Sequence, residues 1–184
     1  MSSPWKTIGN EWFDYEHIYK QIVDAATNGG KIVEVGCWKG ASTMFLAMEA
    51  KKKNISVFAV DTWLGSDEHR DIREVREKRL FSVFTENMKP IIDDILILRV
   101  PSVAASRIFD DNSVDAVFLD ADHLYASVGQ DILCWLPKVG EGGILAGHDY
   151  VQKHSGVIAA VDELIPNPQI IDCGGGSRSW LYTK

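Results

Sequence analysis

Short apolar runs alternate along the chain with stretches in which apolar residues recur every three or four positions. Between Asp14 and Thr27, Ile18, Ile22, Val23 and Ala26 sit at helical spacing, and Asn28-Gly29-Gly30 supplies the stop. Lys31-Ile32-Val33-Glu34-Val35 then reads as a buried strand ending at Gly36. A helix is expected from about Ala41 to Lys52, and a second strand over Ser56-Val57-Phe58-Ala59-Val60 ends at Asp61. Residues 65 to 89 break the rhythm. They are charged, lack Gly and Pro after Gly65, and fit one long helix or two short ones, with Leu80, Phe81, Val83 and Phe84 giving only the second half an apolar face.

The alternation then resumes. Ile95 to Val100 predicts a third strand and Ser102 to Phe109 a short helix. Val114 to Leu119 predicts a fourth strand, ending at Asp120, and Tyr125 to Leu136 a helix closed by Pro137. A fifth strand starts at Gly143-Ile144-Leu145-Ala146 and runs toward His148-Asp149-Tyr150; a last helix covers Gly156 to Leu164. Two terminal strands joined by Gly174-Gly175-Gly176 must be antiparallel to each other, because so short a turn cannot make a crossover. Alternating strands and helices at crossover spacing predict an α/β fold: a doubly wound, mostly parallel seven-stranded sheet with an antiparallel C-terminal strand. At 184 residues the chain is expected to be one domain over 1–184, with an N-terminal arm and helix in 1–30 and a helical insertion at 65–89. Lying beyond the second strand, that insertion is a candidate lid or homodimer contact.

Composition narrows the function. A hydrophobic share of 46% with 24% charged residues is that of a folded globular chain, so wholesale disorder is excluded. Lys+Arg 19 against Asp+Glu 26 gives a net charge of −7, which argues against nucleic acid as partner, since phosphate neutralisation needs a basic face. No apolar run approaches the roughly 18 residues that span a bilayer, and the opening Met1-Ser2-Ser3-Pro4-Trp5 lacks the basic and apolar regions of a signal peptide. With three cysteines, these features predict a cytoplasmic protein with reduced thiols and no membrane partner. Cys37 has no adjoining His to activate it as a nucleophile, and Cys134 and Cys173 read as core residues.

In an open α/β sheet the ligand lies beyond the carboxyl ends of the strands. There the first loop runs Glu34-Val35-Gly36-Cys37-Trp38-Lys39-Gly40. A dinucleotide-binding turn requires glycine where Trp38 and Ala41 stand, and a P-loop pattern is absent. What remains is a tight turn flanked by Glu34, with a second acid, Asp61, some twenty residues beyond Gly40, where a carboxylate can accept ribose hydroxyls. A nucleoside bearing positive charge and no phosphate satisfies both, and S-adenosylmethionine is such a molecule.

Four blocks carry a resemblance: Val33 to Ser42, Val60 to Trp63, Val114 to His123, and Gly142 to Tyr150. In this order they resemble class I S-adenosylmethionine-dependent methyltransferases, most closely the small-molecule group that includes cephalosporin-hydroxylase-like and macrocin O-methyltransferase-like proteins. The resemblance implies a Rossmann-like fold and methyl transfer to a small-molecule acceptor, on an oxygen of a sugar, phenol or secondary metabolite. It implies that Glu34, Gly36 and Gly40, with Cys37 and Trp38 in the same loop, wall the methionine part, and that Ser42 meets its carboxylate. Asp61 would hold the ribose, with Thr62 and Trp63 beside the adenine. The family's acid after the third strand is missing from Val100-Pro101-Ser102, leaving Ser102 for the adenine.

Asp120, Asp122, His123, His148 and Asp149 should converge at the ends of the fourth and fifth strands. Metal-dependent members of the family bind magnesium there, which puts Asp120, His148 and Asp149 on the ligand positions and lets Mg2+ or another divalent metal activate a hydroxyl. The alternative is metal-free catalysis with His123 or His148 as general base beside Asp120 and Asp149. Two rival functions stand beside methyl transfer: a Rossmann-like nucleotide-binding oxidoreductase, which Trp38 disfavours, and a non-catalytic cofactor-binding module.

Overall fold

The computed structural model describes residues 4–8 and 12–184; Met1–Ser3 and Gly9–Glu11 of the expected N-terminal arm lie outside the described residues. Seven strands form one sheet: β1 Lys31–Val35, β2 Ser56–Val60, β3 Ile95–Leu98, β4 Val114–Leu119, β5 Val139–Gly147, β6 Gln169–Gly174 and β7 Ser177–Thr183. Their order is β3-β2-β1-β4-β5-β7-β6. The first five pair in parallel, and β7 runs antiparallel to both β5 and β6. This is the mostly parallel, doubly wound sheet expected from the alternation of strands and helices.

Period-two burial on both faces explains why these strands read as unbroken apolar runs. Ile32 of β1 and Ala116 and Phe118 of β4 pack on one side, beneath α1 Glu16–Ala25, α2 Ala41–Lys51 and α4 Leu80–Met88. Val33 and Val35, with Val117 and Leu119, pack on the other, beneath α5 Ser102–Ser106, α6 Tyr125–Trp135 and α7 Ser155–Leu164. Among the described residues, no helix is long and apolar enough to cross a membrane.

The segment after β2 resolves the choice between one helix and two. A 3-10 turn at Asp67–His69 leads to a single helical turn, α3 Arg73–Arg76, and then to α4. Lys78 sits at φ 55, a left-handed conformation that no continuous helix accommodates. Only α4 has an apolar stripe to anchor, at Leu80, Phe84 and Met88. The fifth strand also differs at both ends from the reading over 143–150. It begins at Val139 and stops at Gly147, because Asp149 takes φ 59 and leaves the extended conformation.

The strand order reverses around β1, so the ends of β1 and β4 open the crevice in which ligands of such sheets bind. Backbone hydrogen bonds continue past the strand ends and tie the turns together: Gly36 N to Val60 O, Asp120 N to Val35 O, and His148 N to Leu119 O. Gly36, at φ 90, is required here. A Cβ on it would stand 1.9 Å from the Asp120 carbonyl oxygen.

Candidate active site

A cleft of about 790 Å³ opens at the carboxyl ends of the strands. Gly36, Trp38 and Ser42 reach its wall from the β1 side, Asp61 and Thr62 from β2, and Ser102 from the turn after β3. Asp120 and His123 after β4, and His148 and Asp149 after β5, close it opposite.

Asp61 organises the first side. Its Oδ2 accepts the backbone N–H groups of Cys37 and Trp38 at 2.9 and 3.0 Å, and its Oδ1 that of Trp63 at 2.7 Å. Burial pushes its carboxyl up in pKa, and these N–H groups pull against that rise. A carboxylate has about four acceptor positions, so with these N–H groups and that of Thr62 beside it at most one remains for a ligand hydroxyl, rather than the two expected for a ribose.

Four residues expected to touch the cofactor are placed elsewhere. Glu34 is fully buried and faces α1 and α2, where Tyr19 donates to its Oε1 at 2.7 Å and the Thr43 hydroxyl to its Oε2. Those hydroxyls compensate its desolvation, so its carboxylate serves the core. Trp63 lies between Phe81 and Phe84 and donates its indole N–H to the Trp38 carbonyl at 2.9 Å, which makes it a core aromatic. The Cys37 side chain is buried, and its thiol faces the Glu34 and Val60 carbonyls rather than the cleft. Gly40 caps α2 at φ 92 against Phe84 and Met88. Trp38 leaves its turn at φ 48 and meets the rings of His69 and Trp12 at a tilt, with centroids 4.7 and 5.5 Å away, forming an aromatic wall.

Opposite lies a network of carboxylates and imidazoles. Asp149 Oδ2 meets His123 Nε2 at 2.9 Å and His148 Nδ1 at 3.5 Å, and His154 Nε2 lies 3.8 Å from Oδ1. Burial would raise the Asp149 pKa, but hydrogen bonds from both imidazoles hold it well below the usual carboxylate range. Asp120 accepts from the buried Tyr15 hydroxyl at 2.8 Å; burial raises its pKa against the pull of His148. His123 turns Nδ1 toward Glu68 at 3.2 Å. Burial lowers its pKa, but Asp149 and Glu68 outweigh that effect and the net shift is upward.

His148 lies beside both acids of the ligand set that the resemblance implies, its Nδ1 3.8 Å from Asp120 Oδ1 and 3.5 Å from Asp149 Oδ2. Its Nε2 lies 2.7 Å from Ser177 Oγ and 3.3 Å from Asp14, and its Nδ1 faces Asp149. Burial opposes its charge, but the carboxylates of Asp149, Asp120 and Asp14 push its pKa up to about 9. His123 faces the same acids: Asp120, His123 and Asp149 offer one ligand atom each, all within 4.8 Å of one another. Two carboxylates and an imidazole fit a divalent cation.

Several lining residues were not singled out from the sequence. Asp14 and Tyr15 precede α1, Glu68 follows β2 and His154 precedes α7, so no local spacing announces them as one site. Asp131 of α6 is only 9% exposed, and burial raises its pKa to about 6 against a Ser102 hydrogen bond. Its folded pKa lies above the ordinary value, so the stability it contributes is full below about pH 4 and is lost as the pH rises through about 6. Asp131→Asn is therefore expected to stabilise the ligand-free protein by about 1–3 kcal/mol near pH 7.5 and hardly at all near pH 4. Thermal unfolding at both pH values checks this; equal shifts would show an ordinary carboxyl.

The model of a family described as "Methyltransferase domain" matches residues 33–150. The Sinorhizobium fredii protein y4gI, described as uncharacterized, is 30% identical over 127 residues, covering 67% of this chain. The chain spans only 14% of that relative's length. Among solved structures, an S-adenosylmethionine-dependent O-methyltransferase of Thermotoga maritima superposes with a TM-score of 0.71 at 17% identity, over 99% of this chain and 71% of that one. An rRNA methylase of Streptococcus thermophilus gives 0.66 at 13%, over 91% and 94% of the two chains. A Streptococcus mutans protein assigned as a methyltransferase, solved in complex with SAH (S-adenosylhomocysteine), gives 0.64 at 12%, over 90% and 94%. At such identities the shared feature is the fold.

Proposed function

Because this chain belongs to the methyltransferase-domain family, we propose that it transfers a methyl group from S-adenosylmethionine to a hydroxyl of a small-molecule acceptor. The observation that carries this reading is the placement of Asp61 and the Asp120–His123–Asp149 group on opposite walls of one cleft. When bound, S-adenosylmethionine supplies a methyl group already activated on a sulfonium. Asp61 would take one ribose hydroxyl at its free acceptor position, and Ser42, at the start of α2, would meet the methionine carboxylate.

The chain then has to position the acceptor hydroxyl and support loss of its proton. Asp120, His123 and Asp149 would hold a divalent cation, which supplies Lewis-acid activation of that hydroxyl. A metal-free second reading is favoured by the His123–Asp149 contact of 2.9 Å, which resembles a base with its orienting carboxylate. Against it, neighbouring carboxylates raise the pKa of both His123 and His148, which favours the protonated imidazole over a resting base until a cation displaces the proton. A nucleic-acid acceptor is disfavoured by the cleft wall. It carries Asp14, Asp61, Glu68, Asp120, Asp122, Asp131 and Asp149 against one lysine, Lys153, in a chain of net charge −7. The aromatic wall of Trp12, Trp38 and His69 suits a small ring-bearing acceptor instead.

Titration calorimetry with S-adenosylhomocysteine, followed by transfer assays on hydroxylated acceptors with and without chelator, tests the reading. Micromolar binding and chelator-sensitive turnover are expected. Absence of binding would overturn it, and full turnover in chelator would leave only the His123 base.

A further inference from the structure

Beside the cleft, three separate chain segments bring a thiol, an imidazole and a carboxylate together. β7 pairs with both β5 and β6, which sets the β6–β7 hairpin next to the turn after β5. The β6–β7 register slips between Asp172 and Gly174, so Cys173 sits at a bulge, a device that re-aims a side chain. Read from the sequence as a core residue, Cys173 is only half-buried. Its thiol, one nitrogen of His148 and one oxygen of Asp14 all lie within 4.8 Å of one another. Asp14 Oδ1 stands 3.3 Å from His148 Nε2, and Ser177 Oγ lies 2.7 Å from that nitrogen and 3.3 Å from Asp14. The other imidazole nitrogen, Nδ1, faces the Asp149 carboxylate at 3.5 Å. The ring itself is buried, 4.6 Å from the ring of Tyr15. An imidazole fixed in this way, with a carboxylate behind one nitrogen and ligand atoms before the other, has the arrangement of a metal-bound histidine and its supporting acid.

We propose that Cys173, His148 Nε2 and Asp14 form a site for a zinc-class transition-metal ion, separate from the Asp120–His123–Asp149 group. The thiolate decides the class of ion. Sulfur with one nitrogen and one oxygen suits Zn2+, Co2+ or Cd2+, whereas Mg2+ requires oxygen ligands. Three protein ligands leave the fourth corner of a tetrahedron for a water beside Ser177. Binding displaces one proton from the thiol and one from the imidazolium to solvent, so a thiolate, a carboxylate and a neutral imidazole meet the ion, and the two anions balance its charge. The bound ion ties the segment before α1 to the β6–β7 hairpin and fixes His148 so that its Nδ1–H is given to Asp149.

The test titrates the full chain with Co2+ under argon, with Mg2+ in excess, and reads the absorption spectrum. One Co2+ per chain is expected to give a sulfur-to-cobalt charge-transfer band in the near ultraviolet and the strong visible bands of tetrahedral cobalt, and Zn2+ is expected to bleach both. Cys173→Ser should lose the charge-transfer band and bind the ion about 100-fold more weakly. Cys134→Ser should keep the band, since Cys134 lies on α6, and so should Asp120→Asn, since the group around Asp120 holds no sulfur. Asp14→Ala, a change at a partly exposed position, should weaken binding by about tenfold or more, and it carries the test if Cys173→Ser does not fold. Absence of Co2+ binding, binding without a charge-transfer band, a band that survives Cys173→Ser, or unchanged affinity in Asp14→Ala would each overturn the assignment.

Discussion

Asp149→Asn is expected to lower the rate of methyl transfer by about 10³-fold while S-adenosylhomocysteine binds within about threefold of wild type. Asp149 is the hub of the carboxylate–imidazole network, with His123, His148 and His154 all within 3.8 Å of its carboxylate. Asparagine keeps the shape and removes the charge. It also tolerates the left-handed φ of 59, so the turn after β5 survives the change. Loss of the anion weakens any cation held with Asp120 and His123, and it releases the orientation of both imidazoles. The acceptor hydroxyl then loses support for deprotonation, a contribution to the transition state that leaves cofactor binding at the other wall untouched. Single-turnover transfer and calorimetry separate the two effects. A rate within tenfold of wild type would remove this cluster from the chemistry.

How the sequence foretells this site can be judged from pairs of residues that look alike in it. Glu34 and Asp61 are both acids near strand ends followed by turn residues, and only the fold separates them. Glu34 shares the side of β1 that bears Ile32 and so points under α1, whereas Asp61 lies one residue past β2, where the chain is free to aim its carboxylate at the first loop. Trp38 and Trp63 form a second pair. Both take positive φ, yet one opens onto the cleft and the other fills the core behind it. Strand identity was legible because burial on both faces leaves runs that no helix of this length explains. The break at Lys78 was not, since no glycine or proline marks it. Nor was Tyr15, whose hydrogen bond to Asp120 joins residues 105 apart in the chain. Contacts of that range belong to topology, and periodicity carries no record of them.

Asp61→Ala is expected to weaken S-adenosylmethionine and S-adenosylhomocysteine by about 10²-fold or more and to destabilise the protein by about 2–4 kcal/mol. Both effects trace to one carboxylate. Its two oxygens accept from Cys37, Trp38 and Trp63, so it clamps the first loop to the turn after β2 while facing the cleft. Alanine leaves three partly buried N–H groups without their acceptor, the mechanism by which a lost buried partner costs more than the bond contributes. The loop that presents Gly36 and Trp38 loses its anchor, and the free acceptor position for a ribose hydroxyl disappears with it. Asparagine separates these roles. Its single oxygen can still receive Cys37 and Trp38, but its amide N–H₂ would oppose the Trp63 N–H, donor against donor. Asp61→Asn should therefore lose less stability than Asp61→Ala and bind the cofactor with intermediate affinity. Calorimetry and thermal unfolding of the two variants check the order, and unchanged affinity in Asp61→Ala would dismiss Asp61 from cofactor binding even if the fold suffers.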